Sequence, residues 1–90
     1  MLSVVQKIER IQFALQQRGH PGTLAQIAQL LNVNPSTVWR WATGEVTPRG
    51  KQLESLEILY RSLVRADAGD EDARKIVAAV LGGAAAGVLG

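Results

Sequence analysis

Ninety residues suit one domain with a core of modest size, and an apolar share of 47% fits a packed chain better than a disordered one. The absence of cysteine excludes disulfides and thiolate metal sites and agrees with a reducing compartment. Net charge is +2 but uneven: residues 1–65 carry eight Lys/Arg against four Glu, and residues 66–90 carry two against four acidic groups. A mildly basic body with an acidic extension permits a polyanion partner without demanding one.

Lys7, Glu9 and Arg10 interrupt the apolar run that a secretory leader needs, so a cytoplasmic protein is expected. Ser3-Val4-Val5-Gln6 has the form of a capping box and places a helix start at Val4. Val4, Ile8, Ile11 and Leu15 recur at helical spacing, with Val5 and Phe13 expected to widen the stripe. Gly19-His20-Pro21-Gly22 ends that helix, and His20 reads as a turn residue. A second box, Thr23-Leu24-Ala25-Gln26, opens a short helix with Leu24, Ile27, Ala28 and Leu31 on one face.

That helix ends at Asn32, a residue type that tolerates the left-handed conformation of a tight turn. Asn34 followed by Pro35 is a favoured cap and first position for a third helix, running through Val38 and Trp41 to Gly44. Thr47-Pro48 repeats the cap-plus-proline pattern and is expected to start a fourth helix. Leu53, Leu56, Leu59, Tyr60 and Leu63 form its buried side. After a polar break at residues 67–72, Asp70, Glu71 and Asp72 could open a fifth helix by opposing the helix dipole. The expectation is an all-α bundle of four to five helices.

Two short helices around Asn32-Val33-Asn34 have the arrangement of a helix-turn-helix. Ala28 supplies the small residue needed where the helices cross, Val33 plugs the turn, and Val38 and Trp41 face inward one turn apart. These four form the structural core of the motif. The stretch "TLAQIAQLLNVNPSTVWRWATG", with Pro48 and the leucine-rich helix beyond it, resembles the phage-repressor and Cro-like, or Xre-type, DNA-binding domains. The resemblance covers roughly residues 5–64. Asn32 departs from the glycine usual in the turn, and Ala42 stands where many members carry an acidic residue.

The resemblance implies a helix-turn-helix DNA-binding domain over residues 3–65, binding duplex DNA with the third helix in the major groove. It places Ser36, Thr37, Trp39 and Arg40 at base edges, with Arg40 able to pair bidentately with guanine. Thr23, Leu24 and Pro35, with Arg49 and Lys51 after the loop, are assigned to the DNA backbone. Plainer alternatives stand beside each of these. Trp39 could contact a partner subunit or enter the core, and Ser36 and Thr37 could be good first-turn residues only. Arg40, Arg49 and Lys51 could be solvated surface charges.

Residues 66–90 combine the acidic break with an apolar, Gly/Ala-rich tail. After Arg74 and Lys75, fifteen residues carry neither charge nor hydrogen-bonding side chain, and Gly83 to Gly87 extend a small-residue repeat from Ala79. The tail reads as a helical arm that self-associates or packs over the domain, as a frayed end, or as a membrane segment cut short. Fifteen residues fall below the ~20 that span a bilayer, so membrane association is expected only in the last case. No nucleophile–base pair, metal-ligand cluster or phosphate-cradling loop appears, so neither enzyme activity nor a cofactor or metal is expected. The leading expectation is a dimeric, sequence-specific transcriptional regulator of repressor type. The alternative is a protein-interaction adaptor or antitoxin whose tail or fourth helix binds a partner protein.

Overall fold

The computed structural model describes residues 1–82, and it is all-α: α1 (Val4–Gln17), α2 (Leu24–Leu31), α3 (Pro35–Ala42), α4 (Gly50–Asp67) and α5 (Glu71–Leu81). One cluster of buried side chains draws on all five helices. The small-residue repeat of Gly83 to Gly87 lies outside the described residues, whereas Ile76 to Leu81 form the second half of α5.

α1 starts on a complete capping box: the Gln6 amide donates to Ser3 Oγ at 3.1 Å, and the Ser3 amide donates to Gln6 Oε1 at 2.9 Å. Two first-turn donors that have no partner within a helix are thereby satisfied. Ile8, Ile11, Ala14 and Leu15 are buried. Phe13 does not widen the stripe; it is 51% exposed. At about 100° per residue it stands nearly opposite Ile11, and Ala14 takes the buried place beside Leu15. Beyond α1 the chain folds back closely. A Cβ at Gly22, where φ is +63°, would meet the Gln12 carbonyl oxygen and Gln16 Cγ at 2.6 Å each. Only glycine fits both the conformation and the space.

The second capping box forms by half. Thr23 Oγ1 accepts from the Gln26 amide at 3.1 Å. The Gln26 side chain, however, accepts from the Gly22 amide at 2.8 Å and contacts His20 Nδ1 at 3.2 Å. Gln26 thus ties the α1–α2 loop to α2 instead of closing on the cap residue. At the other end Asn32 adopts φ 57°, ψ 47°, and the Val33 amide reaches back to the Ala28 carbonyl at 2.9 Å. That left-handed stop with its backward hydrogen bond turns the chain within three residues. Asn34 Oδ1 then accepts from both the Ser36 amide (2.9 Å) and the Ser36 hydroxyl (2.6 Å), with Pro35 at the first helical position.

α4 begins later than Thr47-Pro48 suggests. Its first residue is Gly50 and its cap position is Arg49, with no side-chain hydrogen bond. Pro48 is fully buried, so it serves as an apolar plug under the loop rather than as a helix start. The backbone swings through φ 56° at Gly50 before the helix proceeds. α4 carries Leu56, Leu59 and Leu63 inward, and α1, α2 and α5 all pack on it. Each of those leucines contributes about 1.5–3 kcal/mol by leaving water. A Lys7–Glu57 pair at 2.6 Å, with Lys7 Nζ 5.6 Å from the Tyr60 ring centroid, pins α1 to α4. Asp70 Oδ1 caps α5 through the Ala73 amide at 3.0 Å, and Ala73, Val77 and Val80 bury its inner face. Among the described residues no helix is long and apolar enough to cross a membrane.

Candidate nucleic-acid interface

α3 is eight residues long and carries no acidic group. Its periodicity sorts the side chains into two faces. Val38 and Trp41 are fully buried, as is Ala28 on the facing helix, while Val33 is half-buried against the same cluster. Tight packing through Ala28 and Trp41 therefore fixes how α3 rotates about its own axis. On the outer side Ser36, Trp39, Arg40 and Thr43 are exposed, and at about 100° per residue they share one face of the helix. Trp39 is 54% exposed, so the core alternative for this residue is excluded and the contact alternatives remain.

The loop after α3 closes mainly on the Arg40 carbonyl, while the Gly44 amide donates to Trp41 O at 3.2 Å. Arg40 O accepts from Thr43 Oγ1 at 3.1 Å, from the Glu45 amide at 3.0 Å and from the Val46 amide at 3.3 Å. This turns the chain so that Arg49 and Gln52 come alongside α3. Thr37, Arg40 and Trp41 then line a cleft of about 570 Å³ together with Glu45, Arg49 and Gln52. Lys51 opens on an adjoining cleft with Asn32, Val33, Gln52 and Ser55. Two cations nine positions apart in sequence, Arg40 and Arg49, thus reach one concavity, and Gln52 borders both clefts.

Other expected site residues sit at the surface but outside these two clefts. Pro35 is exposed at the start of α3. Thr23 is exposed at the start of α2, and Leu24 is half-buried with its side chain packed against the core. What Leu24 offers outward is its first-turn amide, which has no acceptor within the helix. The sequence reading did not single out Thr43, Glu45 or Gln52. Thr43 was within reach, being seven residues beyond Ser36 on the same helical face. Gln52 and Glu45 join the site only through the turn of the loop, for which no local spacing gives a signal. Glu45 is the one acidic side chain among those lining the Arg40–Arg49 cleft.

Among the described residues no group of three or more His, Cys, Asp or Glu is arranged to hold a metal ion. No family model, curated protein or solved structure matches the chain.

Proposed function

We propose that the chain is a sequence-specific duplex-DNA-binding transcriptional regulator, of repressor type, in which α2 and α3 act as a helix-turn-helix and α3 enters the major groove. The observation that carries this reading is the outer face of α3. Ser36, Trp39, Arg40 and Thr43 stand out from a helix locked from behind by Val38 and Trp41, with Arg49 and Lys51 beside it. A helix about 10–12 Å across with its side chains fits a groove about 12 Å wide. Arg40 offers the bidentate fork that suits guanine O6 and N7. Arg49, Lys51 and the α2 N-terminus supply the phosphate contacts that set register.

A selection from random duplexes tests it: the expected product is an inverted repeat with half-sites about 34 Å apart. Affinity for that site should fall steeply with salt, and replacing Arg49 or Lys51 by alanine should each reduce the log–log slope by about 1. Recovery of no sequence preference would sink the reading. The exposed Trp39 ring favours a second reading, in which the α3 face binds a protein partner. Under that reading Trp39→Ala abolishes capture of the partner while DNA affinity stays weak and unselective.

A further inference from the structure

A cleft of about 270 Å³ lies between α4 and α5, lined in part by Ile58, Arg61, Arg65, Asp70, Asp72 and Ile76. It shares no residue with the two clefts beside α3. Its charges are segregated: the arginines are on α4, and the aspartates are at the start of α5. Although they line one cleft, Arg65 and Asp72 form no ion pair with each other or with any other described residue. Ile76, in the same lining, is 45% exposed.

We propose that this cleft is the contact surface between two copies of the chain. A basic or an acidic peptide would complement one wall and be repelled by the other, and the aspartates would repel a nucleic acid. A second copy related by a two-fold axis complements both walls at once, because such an interface pairs residue i with j and j with i. Arg61 and Arg65 of each copy then meet Asp70 and Asp72 of its mate, and Ile58 and Ile76 pack across the axis. The surface names the contact for the dimer implied by a palindromic site, and it leaves the outer face of α3 open. It is tested without DNA, so that it and the DNA reading fail separately.

Sedimentation equilibrium over a concentration series is expected to show a reversible monomer–dimer equilibrium for the wild type. Arg65→Asp and Asp72→Arg should each weaken it by about tenfold or more, since each sets like charges together twice per dimer. The double reversal, R65D/D72R, should restore dimerisation towards the wild-type level. Ile76→Glu, at a half-exposed position that a charge tolerates, should weaken it as well, and circular dichroism should report unchanged helicity for every variant. Arg40→Ala should leave self-association as it is. A wild type that stays monomeric overturns the proposal. So does a dimer indifferent to the single reversals and to Ile76→Glu, or folded single variants whose loss the double reversal does not repair.

Discussion

The chain builds nearly the same joint twice. Three residues separate α2 from α3, and three separate α4 from α5. In each a backbone amide reaches the carbonyl five residues back, Val33 to Ala28 at 2.9 Å and Asp70 to Arg65 at 3.0 Å. Each contains one left-handed residue, Asn32 or Gly69, and each ends on a side-chain cap, Asn34 or Asp70. The helices that follow differ in charge. α3 has no carboxylate and turns Arg40 outward, whereas α5 opens with Glu71 and Asp72 directly after Asp70. A polyanion can lie along the first and is repelled by the second. Helix–tight turn–helix geometry therefore does not by itself assign a nucleic-acid role; the role proposed for α3 rests on the side chains of its free face.

The largest expected effect tests the anchoring of that free face. Trp41 is the largest fully buried side chain, and Trp41→Ala should lower unfolding free energy by about 3–5 kcal/mol in denaturant titration. Loss of DNA binding by this variant would say nothing about contact, because α3 loses its seat. Next comes the contact itself. Arg40→Ala should cost about 1–3 kcal/mol in affinity for the selected site and relax preference at one base pair. The matched change on α5, Arg74→Ala, should leave binding unaltered in the same mobility-shift series. An equal loss from both would dissolve the contrast between the two joints.

Capping was the part of the fold most legible from local sequence, because a cap involves residues at most three apart. Ser3, Thr23 and Asn34 act as caps where their spacing predicts, and Asp70, expected only to oppose the dipole of α5, caps it as well. The failures have two causes, one tertiary and one local. Pro48 follows Thr47, a residue type that often caps, yet Pro48 is buried as a plug under the loop and α4 begins at Gly50. Gln26 could have closed its box, but its side chain bonds the Gly22 amide and contacts His20, four and six residues back in the adjoining loop. The inward face of α3, Val38 and Trp41, was legible from period alone, whereas the side taken by Trp39 was not. The clefts were not, since Arg40 with Arg49, and Arg65 with Asp72, meet only after two helices have been placed.

Those caps provide a smaller, symmetrical test. Asn34→Ala and Asp70→Ala each remove an acceptor from a first-turn amide and should each cost about 1 kcal/mol of stability. Asn34 also accepts from the Ser36 hydroxyl. Its loss frees a side chain on the proposed DNA face, so Asn34→Ala should change binding in excess of its effect on folding. Asp70 lies away from that face, in the α4–α5 cleft, so Asp70→Ala should change folding and self-association but not the affinity for a single half-site.

The smallest effect separates the joints by backbone conformation. Asn32 sits at φ 57°, inside the left-handed well that asparagine reaches with little strain. Asn32→Gly removes that residual strain but adds conformational freedom to the unfolded chain, two terms of similar size and opposite sign. The expected change is within about 0.5 kcal/mol. Gly69 lies at φ 97°, beyond that well, although a Cβ there would meet nothing within 4 Å. Gly69→Asn is therefore strained by conformation and not by crowding, and should cost about 1 kcal/mol or more. Thermal unfolding of the two single variants resolves the difference. If both exchanges proved neutral, the joints would be conformationally equivalent, and charge alone would distinguish them.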